Sequence, residues 1–261
     1  MRLQIAYAGL DLTAEVDLPD DPARASDLIP ALQVVADLLG DRVRDQWTAA
    51  GHPPSCGPGC GACCSQLVPV CEPEMHALAR LVDGMDPARS GQVRDRLGEI
   101  RDRLERAGLI ESLHRPPPAS EAYTSLMHAY SALGEPCPFL VDQSCSIHPH
   151  RPMICRDFYV TTPPAWCDDP SDPRIAVVRP EVYLTNAVAS ALGRQLGRKV
   201  KVTPLSLALE WADDHPEELL TWPALDVFRA ILDQVARSTG GRVRLVLGRP
   251  REVPPILGAR S

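Results

Sequence analysis

Cysteine is the residue whose number and spacing in this chain point to chemistry. The 261 residues include nine cysteines, and four of them fall within nine positions. These four are Cys56, Cys60, Cys63 and Cys64. Such close spacing lets a short stretch of backbone present several sulfur atoms to one centre. Gly57, Gly59 and Gly61 are expected to let this backbone turn tightly with positive φ angles and direct N–H groups at thiolates. The pattern predicts metal ligation, with reduced structural thiols as the alternative.

A second group of cysteines is spread over a longer stretch. It consists of Cys137, Cys145, Cys155 and Cys167, at intervals of eight, ten and twelve residues. Each lies in a proline-bounded segment, where the buried cysteine of a helix core is not expected. The spacing and setting favour metal ligation for this group as well. The ninth cysteine, Cys71 in VPVCEPE, is predicted to be a core thiol at the end of a short strand.

Sulfur ligation restricts the metal. Thiolates suit Zn²⁺ or an iron–sulfur cluster, whereas Mg²⁺ and Ca²⁺ require oxygen. Eight thiolates divide into two four-sulfur sites or form one polynuclear site. Because the side chains of neighbouring residues diverge, Cys63 and Cys64 do not easily bind one tetrahedral ion together. A single zinc ion with spare thiols is therefore disfavoured.

Charged residues flank the second group. Arg151 and Arg156 are candidates to bind the cofactor, because a guanidinium offsets thiolate charge and donates hydrogen bonds to sulfur. The alternative is that they are surface arginines. Asp157 could orient Arg156, or it could be a solvated carboxylate. His148 and His150 are further candidate ligands or proton donors, with turn residues as the alternative.

The overall composition excludes several classes of protein. The net charge is −7, and no long basic run occurs, so a dedicated nucleic-acid binder is disfavoured. No stretch approaches the roughly 18 uninterrupted apolar residues of a membrane span, and the first residues do not resemble a secretory signal. A cytoplasmic protein is expected. Another protein remains open as a partner, and the oligomeric state is undetermined.

The remaining sequence predicts a mainly helical scaffold with a small sheet. Apolar spacing predicts helices over about 26–49, 75–85, 93–107, 120–133, 180–197, 204–213 and 223–238. Alternation over residues 2–18 around Ala8-Gly9 predicts a β-hairpin, which a strand over residues 243–247 is expected to join. Residues 51–64 and most of 134–180 should be irregular. The fold class is therefore mainly α with a Cys/Pro-rich irregular metal-binding centre and a small β-sheet (α+β).

The predicted organisation has three parts. Residues 1–50 form an N-terminal hairpin and helix, and residues 51–170 form a cysteine-cluster domain. Residues 171–261 form a C-terminal helical segment that packs on it.

Two segments together resemble a known family. CGPGCGACC (residues 56–64) and CPFLVDQSCSIHPHRPMICRDF (residues 137–158), followed by Cys167, are similar to the CxxCxxCC, or YkgJ-like, family of zinc- or iron-chelating proteins. The resemblance implies a metal-binding core built on the eight cysteines of the two groups. Here the first gap is three residues rather than two, and His148 stands where the family often has tyrosine. The family also includes flagellin lysine N-methylases, which look like iron–sulfur proteins that use S-adenosylmethionine.

Three functions follow from these observations. The first is a protein whose iron–sulfur or zinc centre has a structural or redox role. The second is an iron–sulfur-dependent protein-lysine methyltransferase that uses S-adenosylmethionine, which rests on the family analogy alone. The third is a zinc-stabilised interaction module, in which the metal contributes folding free energy. Whether the protein is an enzyme stays open.

Overall fold

The computed structural model describes residues 1–7, 10–118, 121–217 and 223–248. Within them the chain is mainly helical with short antiparallel strands, which confirms the predicted fold class. The helices are α1 (Ile29–Ala49), α2 (Glu72–Asp83), α3 (Pro87–Arg106), α4 (Ile110–His114), α5 (Glu121–Ser131), α6 (Met153–Asp157), α7 (Leu184–Leu196), α8 (Ala208–Asp214) and α9 (Ala224–Ser238). The strands are β1 (Arg2–Tyr7), β2 (Leu10–Glu15), β3 (Pro69–Cys71), β4 (Leu140–Val141), β5 (Ser144–Cys145), β6 (Tyr159–Val160), β7 (Val177–Val178), β8 (Val202–Pro204) and β9 (Val243–Gly248). The predicted turn at Ala8-Gly9 and residues 249–261 of the predicted C-terminal segment lie outside the described residues.

The terminal strands form a three-stranded antiparallel sheet in the order β2-β1-β9. Ile5 of β1 lies opposite Leu12 of β2 and Leu245 of β9. Alternate residues of β1 are buried, as expected for a sheet with one face on the core. The prediction that a last strand joins the N-terminal hairpin is confirmed.

The long helices bury the apolar stripes that predicted them. In α1, Leu32, Val35 and Leu39 are buried, and Pro30 lies in the first turn, where its missing N–H costs no helical hydrogen bond. In α3, Asp86 caps the helix because its carboxylate accepts a hydrogen bond from Arg89 N at 3.0 Å. The segment predicted over 180–197 begins its helix only at Leu184.

The core places the cysteine-rich segment between two helical layers. One buried cluster packs the terminal sheet against α1, α7 and α9 and includes Met153 and Tyr159. A second joins α2, α3 and α8 with Phe139 and Ile147. The first cluster draws residues from all three predicted parts of the chain, and the division at residues 50 and 170 stays a prediction.

No helix in the described ranges combines the length and apolarity of a membrane-spanning segment.

Candidate metal centre

The first cysteine group lies on two consecutive tight turns. Cys60 N donates to Gly57 O at 3.1 Å, and Gly59 between them has φ +79°. Proline followed by a residue with positive φ is the arrangement of a type II turn. A short 3₁₀ turn over Ala62–Ser65 then carries Cys63 and Cys64, with Cys64 N donating to Gly61 O at 2.9 Å. The extra residue between Cys56 and Cys60 is thus accommodated in a turn of its own.

The glycines of this loop have different roles from those predicted. A positive φ is found at Gly59 but at neither Gly57 nor Gly61, so the expectation was right for one glycine of the three. Gly61 is buried, and a Cβ added there would lie 2.7 Å from Gln143 Oε1, 2.9 Å from Leu140 Cδ1 and 3.3 Å from Gln143 O. Gly61 is therefore needed because another backbone segment packs directly on it.

Gly61→Ala is expected to lower the free energy of unfolding by about 1–2 kcal/mol, because the added methyl group must displace a packed segment. Gly57→Ala is the matched control in the same loop, since no described atom lies within 4 Å of its added Cβ. Urea unfolding of both variants measures the difference. Equal stability of the two variants would show that the close approach at Gly61 has no energetic weight.

The segment that packs on Gly61 is a small hairpin between Cys137 and Cys145. Leu140 of β4 pairs with Cys145 of β5, and Asp142 and Gln143 form the turn with φ +47° and +60°. Two consecutive positive φ angles are typical of a type I′ turn. Leu140 N also donates to Cys137 O at 2.9 Å, which holds Cys137 at the foot of the hairpin. The sequence predicted irregular backbone here because the turn lacks glycine and asparagine.

Backbone hydrogen bonds tie the two cysteine groups together. Cys137 N donates to Cys64 O at 2.7 Å. The turn Ala62–Ser65 also packs against the 3₁₀ turn Pro164–Asp168, and Gln66 Nε2 donates to Cys167 O at 2.8 Å. Residues that are about 70–100 positions apart in sequence thus meet at one place.

Six of the eight predicted ligands line one cavity of about 420 Å³. They are Cys60, Cys63, Cys64, Cys137, Cys145 and Cys155. Apolar side chains, among them Phe139 and Ile147, form much of the remaining wall. The cavity therefore presents many sulfur atoms in largely apolar surroundings.

The other two predicted ligands lie beside this cavity rather than on its wall. Cys56 Sγ accepts a hydrogen bond from Val160 N at 3.4 Å. Cys167 is buried in the turn Pro164–Asp168. Cys71 is the last residue of β3 and is fully buried in the core, as predicted, and its thiol donates to Glu74 at 3.4 Å.

The thiols influence one another electrostatically. Burial raises the pKa of Cys137 to about 12, with further increases from the charges of Cys145 and Cys63. Burial likewise raises the pKa of Cys155, and Cys137 and Cys63 add to the effect. The pKa of Cys63 is raised first by its hydrogen bond with Cys64 and then by burial. Without a cation the thiols favour the protonated form, so a metal ion would bind by displacing their protons.

Arg151 provides positive charge at the cavity. It lines the wall, and its Nε is buried without a hydrogen-bond partner among the described residues. Burial raises the pKa of Cys145, and the backbone hydrogen bond at Ile147 and the charge of Arg151 oppose that rise. The position agrees with the predicted role of Arg151 as a counter-charge to thiolates. His148 also lines the cavity, and burial and the two nearby arginines lower its pKa.

Arg156 positions the backbone instead of facing sulfur. It is buried and donates to Asp37 Oδ2 at 2.6 Å, to Pro149 O at 2.6 Å and to Arg151 O at 3.0 Å. These bonds attach the helix that carries Cys155 to α1. The carboxylate that pairs with Arg156 is thus Asp37, whereas the sequence suggested Asp157.

Asp37→Ala is expected to cost about 2 kcal/mol, because the buried Arg156 guanidinium loses its paired carboxylate. Asp41→Ala, one turn further along α1, is the control, since its partner Arg44 is exposed and such pairs contribute below about 1 kcal/mol. Thermal or urea unfolding distinguishes the two. A cost for Asp37→Ala no larger than that for Asp41→Ala would contradict a positioning role for Arg156.

Two buried carboxyl groups that sequence reasoning missed hold α6. Glu74 Oε1 accepts from Met153 N at 2.8 Å, at the first residue of α6. Glu74 Oε2 accepts from Cys71 N and from Thr185 Oγ1, both at 3.1 Å. Asp157, at the other end of α6, accepts from Leu184 N at 3.3 Å, and burial raises its pKa to about 7. A glutamate on the apolar stripe of α2, three residues after Cys71, was the signal available in the sequence.

The donor atoms suit a soft metal, although their side chains are not drawn in around one ion. In the part of the chain that the structure describes, no three His, Cys, Asp or Glu side chains form a ready ligand set for a single ion. All nine cysteines are free thiols. Thiols gathered at one cavity, with an unpaired guanidinium nitrogen among them, nevertheless fit zinc or an iron–sulfur centre in type and charge.

Comparison with known proteins gives one match. No curated protein and no solved structure matches the chain. Residues 55–170 match the family model CxxCxxCC, described as "Putative zinc- or iron-chelating domain". The matched range spans both cysteine groups and confirms the resemblance carried by residues 56–64 and 137–158. Residues 55–170 therefore constitute a CxxCxxCC domain, of the family described as chelating zinc or iron.

Proposed function

We propose that this protein binds metal through cysteine thiolates, with Arg151 as their counter-charge. The observation that carries the proposal is the convergence of six cysteines, from segments about 70–100 residues apart, on one cavity of about 420 Å³. Hydrophobic packing alone does not require thiols at this boundary, and a reducing compartment disfavours their pairing as disulfides. The eight predicted ligands are those of the two cysteine groups, including Cys56 and Cys167 beside the cavity.

Iron–sulfur is the centre that the cavity favours over zinc. A structural zinc site is closed by its four ligands and leaves little open volume. A space of about 420 Å³ bounded by six thiols and apolar side chains has room for polynuclear centres and shields them from water. When bound, an iron–sulfur centre would supply electron transfer or structural linkage. The protein's own contribution is to hold the thiols, to neutralise their charge and to limit solvent access.

The alternatives stay predictions. A zinc-stabilised interaction module would use the same thiols, and methyl transfer from S-adenosylmethionine would require a second ligand at the site. Calorimetric titration with S-adenosylmethionine addresses the latter, and an absence of heat at high ligand concentration would exclude it.

Anaerobic purification followed by metal and sulfide analysis tests the proposal. Brown protein with iron and acid-labile sulfide is expected, because air can remove a labile cluster and leave adventitious zinc in its place. Colourless protein with stoichiometric zinc would keep metal chelation and replace the iron–sulfur assignment. Protein that contains neither metal, and whose thiols all react freely with an alkylating reagent, would overturn the proposed function.

A further inference from the structure

Cys167 lies with the first cysteine group, although in sequence it belongs to the second. The turn Pro164–Asp168 packs against the turn Ala62–Ser65, and Gln66 is bonded to Cys167 O. Cys167 is absent from the wall of the cavity that Cys137, Cys145 and Cys155 line. Burial raises its pKa to about 11, and the thiols that add to this rise are Cys63, Cys56 and Cys60.

Cys56 belongs to the same neighbourhood. Its sulfur accepts from Val160 N, and Ser55 N donates to Val160 O at 2.8 Å, so both ends of this short stretch are fixed to β6. Burial raises the pKa of Cys56, and the neighbouring thiols that contribute are Cys60 and Cys63. The chain leaving β6 then leads directly to the turn that bears Cys167.

Cys64 lies with the second group, although in sequence it belongs to the first. Its carbonyl accepts from Cys137 N at 2.7 Å, which fixes the backbones of these two residues side by side. Cys145 is on the hairpin held to Cys137 through Leu140, and Cys155 lines the same cavity. These four cysteines therefore surround the cavity from three separate segments of the chain.

The adjacent pair Cys63 and Cys64 is the point where the two neighbourhoods meet. Both lie in a 3₁₀ turn, in which successive side chains are about 120° apart around the axis. One turn can thus direct one thiol to each side. Their side chains remain within hydrogen-bonding contact, so the two neighbourhoods lie directly against each other.

We propose that the eight thiols form two four-sulfur metal sites that cut across the two groups seen in the sequence. The first site is Cys56, Cys60, Cys63 and Cys167. The second site is Cys64, Cys137, Cys145 and Cys155. Three ligands of each site come from one cysteine-rich segment and the fourth comes from the other. This inference rests on the proposed metal-binding function and adds the assignment of each ligand to a site.

Double variants distinguish this assignment from the sequence grouping. Cys167→Ala should remove only part of the metal, because the second site stays intact. Adding Cys56→Ala should remove no more, since both residues serve the first site. Adding Cys145→Ala to Cys167→Ala should instead abolish metal binding. The sequence grouping predicts the reverse, with Cys145 and Cys167 in one site and Cys56 in the other.

Metal content per chain is the readout, with circular dichroism as the check on folding. Loss of all metal in Cys167→Ala alone would indicate one polynuclear centre and overturn the two-site assignment. Partial loss with the reversed pattern of doubles would also overturn it. A metal-free wild-type protein would overturn the proposed function itself, and that result is recognisable before any variant is made.

Chelator titration of the wild-type protein tests the assignment without substitutions that could impair folding. Cysteines released by partial metal removal are alkylated and quantified individually by mass spectrometry. We expect Cys167 to become reactive together with Cys56 and Cys60, and separately from Cys137, Cys145 and Cys155. Release of Cys167 together with Cys137, Cys145 and Cys155 would contradict the proposal, as would simultaneous release of all eight thiols.

Discussion

Cys155→Ser is expected to remove at least half of the bound metal and to lower the thermal stability of the protein. Cys155 lies on α6 at the cavity wall, where burial and two neighbouring thiols act on its sulfur. Loss of one ligand from a four-sulfur site weakens binding strongly, and binding free energy is folding free energy in such sites. Metal analysis of the anaerobically purified variant measures the loss.

Cys71→Ser is the matched control for this experiment. Cys71 is as deeply buried as any cysteine in the chain, but it lies in the core beside Glu74 and does not line the cavity. The serine hydroxyl can replace the thiol as a donor to Glu74. Full metal content in Cys71→Ser with reduced content in Cys155→Ser is the expected result. Full metal content in both would remove Cys155 from the site.

Glu74→Ala is expected to lower the free energy of unfolding by about 3–5 kcal/mol. The buried carboxyl group accepts from Met153 N, Cys71 N and Thr185 Oγ1. Each buried donor left without a partner costs about 1–3 kcal/mol, and several are orphaned together. Because Met153 begins α6, the variant should also weaken metal binding at Cys155.

Asp83→Ala is the control, because Asp83 is also an acidic residue of α2. Its carboxylate pairs with Arg94 on the surface, where removal of such a pair costs below about 1 kcal/mol. Urea unfolding of the metal-free proteins compares the two variants. Similar costs for Glu74→Ala and Asp83→Ala would contradict the role assigned to Glu74.

The pH dependence of stability provides a separate check on Glu74. Burial raises its pKa, so the folded state binds the proton more tightly than the unfolded chain does. The stabilising contribution of that proton is complete below the unfolded carboxyl pKa of about 4 and is lost as pH rises through the folded pKa. Relative to Glu74→Gln, which stays neutral, the wild-type protein should lose stability as pH rises. A difference in unfolding free energy that increases in the opposite direction would contradict this reading.

Much of the scaffold could be predicted because its pattern is local. The apolar stripe of Leu32, Val35 and Leu39 marks α1, and the alternation in residues 2–7 marks β1. The joining of β9 to β1 was also predicted, since both strands carry the period of a half-buried sheet. Cysteine clustering within residues 56–64 is equally local, and it identified the loop at the cavity.

What could not be predicted depends on contacts between distant segments. The spacing of Cys167 suggested partners among Cys137, Cys145 and Cys155, but its neighbour in space is the turn at Ala62–Ser65. The need for glycine at Gly61 arises from the hairpin that packs on it. Burial of Glu74 has no periodic signal, because a single carboxyl group on an apolar stripe acquires its partners only when α2, α6 and α7 meet.

X-ray absorption at the metal edge of the anaerobically purified protein tests the central claim most directly, because it reports the atoms bound to the metal. Thiolate binding predicts a first shell of four sulfur neighbours at about 2.3 Å for zinc or for the iron of a cluster, and iron in a cluster adds a second shell of iron neighbours. A first shell of nitrogen and oxygen near 2.0–2.1 Å would contradict the account, because the metal would then be held by groups other than these cysteines.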